Sequence, residues 1–391
     1  MSLTRRAFVS TCGAAVGALG VAVGAEAAPQ AQTPPRGGRP RPTAADYDAT
    51  IKLSANENPY GPPESVLKAM TDSLKYANRY GAPDGDLVGA IAAHHGVKPE
   101  NVLLGAGSGE ILDVAGTAYL EGGRRVLGSD PTYSSVYQHA TTIKSDGIRV
   151  PLKADAMQDI RGLIATAKRH YRDVGFVYLC NPNNPTGMIV PASEVKELLD
   201  GLPADMPVLI DEAYHHFVTD PAYATAVPYV LEGRPVIVAR TFSKIAGLAG
   251  MRLGYAVAPK DMIDRMRPHA SNSINLAVRW AGAAGLADTA AQIRVKTLNA
   301  EVRQRTTDAL KARGFEVLPS QANFFMVDIR REVTPVIQAF RAKGIAVGRP
   351  FPPMTQHLRV SIGTDAEMTR FLDAFAEIVR TERTGTAGGA M

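Results

Sequence analysis

Lys244 sits in the run Thr241-Phe242-Ser243-Lys244-Ile245-Ala246-Gly247-Leu248-Ala249-Gly250-Met251-Arg252. An amine preceded by two hydroxyls and followed, eight residues on, by a guanidinium suits a ligand that is both an aldehyde and a phosphate ester. The amine can form a Schiff base with the aldehyde, while Thr241, Ser243 and Arg252 hold the phosphate. A lysine in a Gly/Ala-rich loop is ordinarily a solvated turn, so the run gains meaning only from its company.

Three upstream segments supply that company. Cys180-Asn181-Pro182-Asn183-Asn184-Pro185-Thr186-Gly187 follows the apolar run Val174–Leu179. That order predicts a buried strand ending in a Pro-rich turn, with Asn184 just beyond the strand's carboxyl end, where open α/β sheets place ligands. Val208-Leu209-Ile210-Asp211-Glu212-Ala213-Tyr214 runs three apolar residues into an acid. A carboxylate there is costly to bury without a positive partner, and a protonated ring nitrogen would be one; the plainer alternative is a helix cap. Gly105-Ala106-Gly107-Ser108-Gly109-Glu110 lies between a strand-like and a helix-like stretch. Its small residues let backbone N–H groups approach a phosphate, although many such loops are only turns.

In this order and spacing the segments resemble the fold-type I pyridoxal-phosphate (PLP) aminotransferases, and among them the branch containing histidinol-phosphate aminotransferase. Four further motifs carry the resemblance: Ile51-Lys52-Leu53-Ser54-Ala55-Asn56-Glu57-Asn58-Pro59, Asn78-Arg79-Tyr80, Pro131-Thr132-Tyr133 and Leu358-Arg359-Val360-Ser361-Ile362-Gly363-Thr364. It spans roughly residues 50–380. It implies the aspartate aminotransferase-like α/β fold, with a large domain built on a mainly parallel seven-stranded sheet and a smaller α+β C-terminal domain. It also implies a homodimer.

The same resemblance implies residue roles. Lys244 would bind the cofactor aldehyde and shuttle the substrate proton; Asp211 would partner the pyridine nitrogen; Asn184 and Tyr214 would meet the phenolic oxygen. Ser108, Gly109, Thr241, Ser243 and Arg252, with Tyr80 from the neighbouring subunit, would cradle the phosphate. Tyr133 would stack on the ring. Arg359, with Asn58 and Arg349, would bind the substrate, Arg359 as a bidentate clamp on a carboxylate or phosphate. A decarboxylase or carbon–sulfur lyase of the same fold would share every cofactor residue. The segment before Asp46 lacks the Pro-Tyr element that supplies a substrate tyrosine in histidinol-phosphate enzymes, which leaves the amino donor undetermined.

The amino terminus poses a different question. Met1-Ser2-Leu3-Thr4-Arg5-Arg6-Ala7-Phe8-Val9 precedes a modestly apolar stretch from Cys12 to Ala25 and then Ala25-Glu26-Ala27. This resembles a twin-arginine signal peptide over residues 1–27, which implies export of the folded enzyme to the periplasm. The stretch is short of the ~20 apolar residues of a spanning helix.

Composition fits a globular enzyme. Across 391 residues the charge is +5, falling to +4 without Arg5, Arg6 and Glu26, and the charges are scattered, so neither nucleic acid nor a membrane surface is indicated. Of two cysteines only Cys180 remains past the signal, which excludes a disulfide within the subunit. His94-His95 and His215-His216 are adjacent pairs expected to face apart, so no metal site is predicted.

Domain expectations follow. Residues 28–45 read as a disordered Pro/Arg-rich arm. Residues 46–77 form an N-terminal segment packing with the small domain and the dimer. Residues 78–285 form the large PLP-binding domain and 286–385 the small one. Strands are predicted at 101–104, 125–127, 148–150, 174–179, 208–210, 236–239 and 253–257, one helical region over 275–312, and a βαβ-like unit beyond Gly314.

Overall fold

A computed structural model describes residues 43–379. The expected signal segment 1–27 and most of the 28–45 arm lie outside the described residues. From Thr43 the chain is helical over Ala44–Ala49, and the Thr43 hydroxyl accepts from the Asp46 N–H as a helix cap. The described residues divide after Tyr47, and the fold and site below belong to the part from Asp48 onward.

Its strands are β1 (Ile51–Leu53), β2 (Val102–Gly105), β3 (Arg125–Asp130), β4 (Gly147–Pro151), β5 (Val174–Cys180), β6 (Val208–Asp211), β7 (Val236–Thr241), β8 (Gly254–Val257), β9 (Glu316–Val317), β10 (Phe324–Asp328), β11 (Ile345–Val347) and β12 (His357–Ser361). A seven-stranded sheet runs in the order β2-β8-β7-β6-β5-β3-β4. Only β8 opposes its neighbours; the other pairings are parallel. Strands covered on both faces need apolar residues at successive positions, and β5, β6 and β7 are buried throughout. Val177, Leu179, Ile210 and Val238 join one core; Phe176, Tyr178, Leu209 and Ile237 join the other.

Three expectations change beyond this sheet. The helical region predicted over 275–312 is two helices, Leu276–Ala287 and Thr289–Lys311, because Asp288 stops the first and caps the second through Ala291 N. The βαβ-like unit is an antiparallel sheet β12-β10-β9, while β11 leaves it to pair in parallel with β1. That pairing draws Ile51 and Leu53 into a third core with Phe325, Phe340 and Phe371. The helix Glu64–Ser73, from the segment expected to pack on the small domain, lies against the helix Leu276–Ala287 instead, and Val66 sits in the core of the large sheet. Among the described residues no helix is long and apolar enough to cross a membrane.

Candidate active site

The registers Cys180↔Asp211, Thr241↔Gly254 and Gly105↔Gly254 align the ends of five strands along one edge of the large sheet. Cys180, Asp211 and Thr241 end β5, β6 and β7, and the helix Ser108–Tyr119 starts three residues after β2 ends. A cavity of ≈ 240 Å³ opens at this edge, and Lys244, Asp211, Tyr214, Tyr133, Ser108, Gly109, Thr241, Ser243 and Arg252 all line it.

One end of the cavity is built for an anion. Gly107 precedes the helix at φ +84° with no side chain to cap it, so among the described residues no side chain at the cap takes up the first N–H groups. That φ favours glycine, and a Cβ there would lie 2.3 Å from Arg252 Nη2 and push the guanidinium aside. Arg252 itself holds a left-handed φ of +57°, a strained conformation for a side-chain-bearing residue. Its guanidinium donates to Ala106 O at 3.2 Å and to Ala249 O at 3.0 Å, beside Ser243 Oγ at 3.4 Å. Thr241 Oγ1 donates to Ser243 Oγ at 2.9 Å.

Asp211 is 2% exposed, with Tyr178 Oη donating to Oδ2 at 3.1 Å and Ala213 N to Oδ1 at 3.2 Å. Burial pushes its carboxyl up to about 6. No ion pair reaches it among the described residues, so a cationic ring nitrogen is the partner it lacks. Lys244 Nζ donates to Ala55 O at 3.2 Å and stands 5.7 Å from the Tyr214 ring centroid. Burial, and then the Arg359 guanidinium, bring its amine down to about 8, against the pull of Glu57 and Asp211. Phosphate donors, a reactive amine and an unpaired buried carboxylate around one cavity are the donor set that PLP requires.

The Tyr214 hydroxyl accepts from Asn184 Nδ2 at 3.3 Å and from Asn56 Nδ2 at 3.1 Å. Arg359 donates from Nη1 to Asn184 Oδ1 at 2.8 Å and from Nη2 to Ser54 O at 2.6 Å, while its buried Nε has no partner among the described residues. Its guanidinium stacks 4.6 Å from the Phe351 ring centroid, and the exposed Arg349 lies 4.3 Å from the same ring. Tyr80 is fully exposed and outside the cavity. Asn58 departs from its expected place in the substrate site. Its amide donates to Ile245 O at 3.0 Å and accepts from Tyr60 N at 3.0 Å, so one end braces the Lys244 loop and the other its own turn.

Several residues escaped the sequence reading. Asn56 is clasped by Ser361, which accepts from Asn56 N at 2.8 Å and donates to its Oδ1 at 2.9 Å. Glu57 and Ala55 line the cavity. All three belong to a motif already singled out, where nothing local distinguishes them from Asn58. The histidine pairs also differ from expectation: the rings of His94 and His95 meet at 4.7 Å and those of His215 and His216 at 3.7 Å. They occupy a helix end and a 3₁₀ turn, where neighbouring side chains are not held on opposite faces.

Comparison with known proteins agrees with this geometry. The chain is 36% identical over 336 residues to the histidinol-phosphate aminotransferase of Moorella thermoacetica, covering 84% of this chain and 85% of that one. It superposes with a TM-score of 0.78 on the Sinorhizobium meliloti histidinol-phosphate aminotransferase in complex with pyridoxal-5'-phosphate, at 29% identity, covering 84% of this chain and 91% of the other. A Thermus thermophilus aspartate aminotransferase shares the fold, with a TM-score of 0.74 at 20% identity over 86% of this chain and 99% of that one. Residues 48–375 match the family described as aminotransferase class I and II, and the chain therefore belongs to the PLP-dependent aminotransferases of that family.

Proposed function

We infer that this aminotransferase works through Lys244, Asp211 and Arg359, on an amino donor carrying a carboxylate or phosphate. The observation that carries the reading is Asp211, a buried carboxylate with no ion pair among the described residues, sharing one cavity with Lys244 and an anion cradle. When bound, PLP supplies an aldehyde that accepts the donor's amine and a ring that disperses the charge left on Cα. Asp211 holds the proton on the ring nitrogen. Asn184 Nδ2 and Tyr214 Oη would orient the phenolic oxygen, and Tyr133 would cover the ring face. Ser108, Gly109, Thr241, Ser243 and Arg252 grip the phosphate. Lys244 Nζ, with its amine lowered to about 8, takes the Cα proton and returns it. Arg359 binds the substrate's acid group, which its unpaired Nε favours. Arg349, which shares the Phe351 ring with Arg359, adds a second positive charge toward a phosphate. The names of the relatives favour an amino phosphate such as histidinol phosphate; an exported enzyme would instead meet free amino acids.

The test is spectral. An effective amino donor should abolish the visible absorbance of the bound cofactor and 2-oxoglutarate should restore it, in a screen of amino acids and amino phosphates. Decarboxylation or sulfide release in place of that cycle would overturn the aminotransferase roles. Lys244→Ala should retain PLP yet lose turnover by several orders of magnitude; near-normal turnover would refute its role.

The assembly and location belong to the same reading. Tyr80, fully exposed on one subunit, would reach the phosphate of a second copy in a homodimer. Residues 1–27 would direct folded, cofactor-loaded enzyme through the twin-arginine machinery to the periplasm. Replacing Arg5 and Arg6 by lysine should trap precursor in the cytoplasm, and undiminished periplasmic enzyme would dispose of the export claim.

A further inference from the structure

Tyr178 lies two residues before the end of β5, on the sheet face that also carries Cys180. Its side chain is 1% exposed and packs in the core that includes Leu209 of the neighbouring strand β6. The register sets Cys180 opposite Asp211, which places the Tyr178 hydroxyl 3.1 Å from Asp211 Oδ2. Ala213 N–H reaches the other oxygen, so among the described residues the Asp211 carboxylate accepts two hydrogen bonds, and the tyrosine makes the one from a side chain. A tyrosine this deep could simply be an apolar core residue whose hydroxyl has found an acceptor. The acceptor it has found, however, is the carboxylate that faces the cavity.

We propose that Tyr178 is a positioning residue for PLP: its hydroxyl keeps Asp211 ionised and fixes the carboxylate in the orientation that receives the ring nitrogen. The inference rests on the reading of Asp211 given above. Burial works against ionisation and pushes the Asp211 carboxyl up to about 6, and the Tyr178 hydrogen bond is the largest effect opposing it. Burial also holds the Tyr178 hydroxyl well above its ordinary range, so it stays a donor throughout the working pH. Without that donor the carboxyl would retain its proton near neutrality, and a neutral acid cannot pair with a pyridinium.

Tyr178→Phe keeps the ring and deletes the donor. The measurement is PLP affinity of the full protein, read by fluorescence from pH 5.5 to 8.5. Wild type should weaken as pH falls through about 6. In Tyr178→Phe the inflection should move up by about one pH unit, with roughly tenfold weaker binding at pH 6.5 that recovers by pH 8.5. In an Asp211→Asn background the same substitution should change affinity at no pH. An unmoved inflection, an equal loss at every pH, or an undiminished effect in the Asp211→Asn background would overturn the proposal. Should Tyr178→Phe fail to fold, 3-fluorotyrosine at position 178 supplies a stronger donor and should move the inflection down; no movement is again a refutation. A wild type that binds no PLP would sink the cofactor reading itself, whereas normal wild-type binding with an unmoved variant sinks only the role of Tyr178.

Discussion

Replacing Arg359 by methionine separates the substrate clamp from the cofactor site. The side chain is 7% exposed, and burial lowers its guanidinium to about 10, so it stays charged at neutral pH. Methionine preserves much of the apolar contact with Phe324 and Phe351, the two rings beneath the guanidinium. What it removes is the forked donor. A charge-assisted hydrogen bond is worth about 1.5–3 kcal/mol, so losing two to the substrate costs about 3–6 kcal/mol. At about 1.4 kcal/mol per decade, kcat/KM should fall by roughly two to four orders of magnitude. Arg359→Lys retains a charge without the fork and should lose about one to two orders. PLP affinity should fall less, because only Asn184 Oδ1 and Ser54 O lose their donor and Asp211 and the phosphate cradle are untouched. The assay is kcat/KM over a panel of donors, alongside PLP titration of each variant. If Arg359→Met keeps more than about a tenth of wild-type kcat/KM with every active donor, the acid group is bound elsewhere and the clamp is wrong.

Two further predictions concern stability. Glu212 and Arg240 form a buried pair at 2.8 Å with side chains 1% and 4% exposed; Glu212→Gln leaves the guanidinium uncompensated and should cost about 3–5 kcal/mol by chemical denaturation. A loss under about 1 kcal/mol would show that the pair does not hold the cation. Burial and the Arg240 charge depress the imidazoles of His94, His95, His215 and His216, His95 to about 3. The folded chain thus binds fewer protons than the unfolded one, and the stability from these groups, complete above about 6.5, is lost as pH falls toward 3. Asp211, raised to about 6, and Asp113, also raised by burial, oppose this, but as two groups against four. The melting temperature should decline below pH 6.5, and less steeply in His95→Asn, which removes the ring hydrogen-bonded to Tyr255 at 3.0 Å; a flat profile would contradict the burial argument.

Much of this molecule was legible in its one-dimensional pattern. Buried parallel strands demand uninterrupted apolar runs, so β5, β6 and β7 declared themselves, and the residues at or just past their ends, Asn184, Asp211 and Lys244, were legible as a candidate site because strand and turn are local features. The Thr364 cap was equally local: its hydroxyl and Glu367 close a capping box within four residues. Other features depended on partners far away in the chain. The lone antiparallel strand β8 and the departure of β11 to β1 are choices of neighbour, which no run of residues encodes by itself. Asn56 matters because Ser361, 305 positions later, clasps it, and Tyr178 because β6 brings Asp211 to its hydroxyl. Asn58 shows the converse, since a residue in the right motif was turned by its own hydrogen bonds toward the loop behind the cavity. Residue type and short-range order thus determined the strands, the turns and the reactive groups, because those follow from backbone and burial preferences over a few residues. Which polar groups pair across the sheet edge was decided only by the tertiary fold, because hydrogen bonds are set by distance and direction in space.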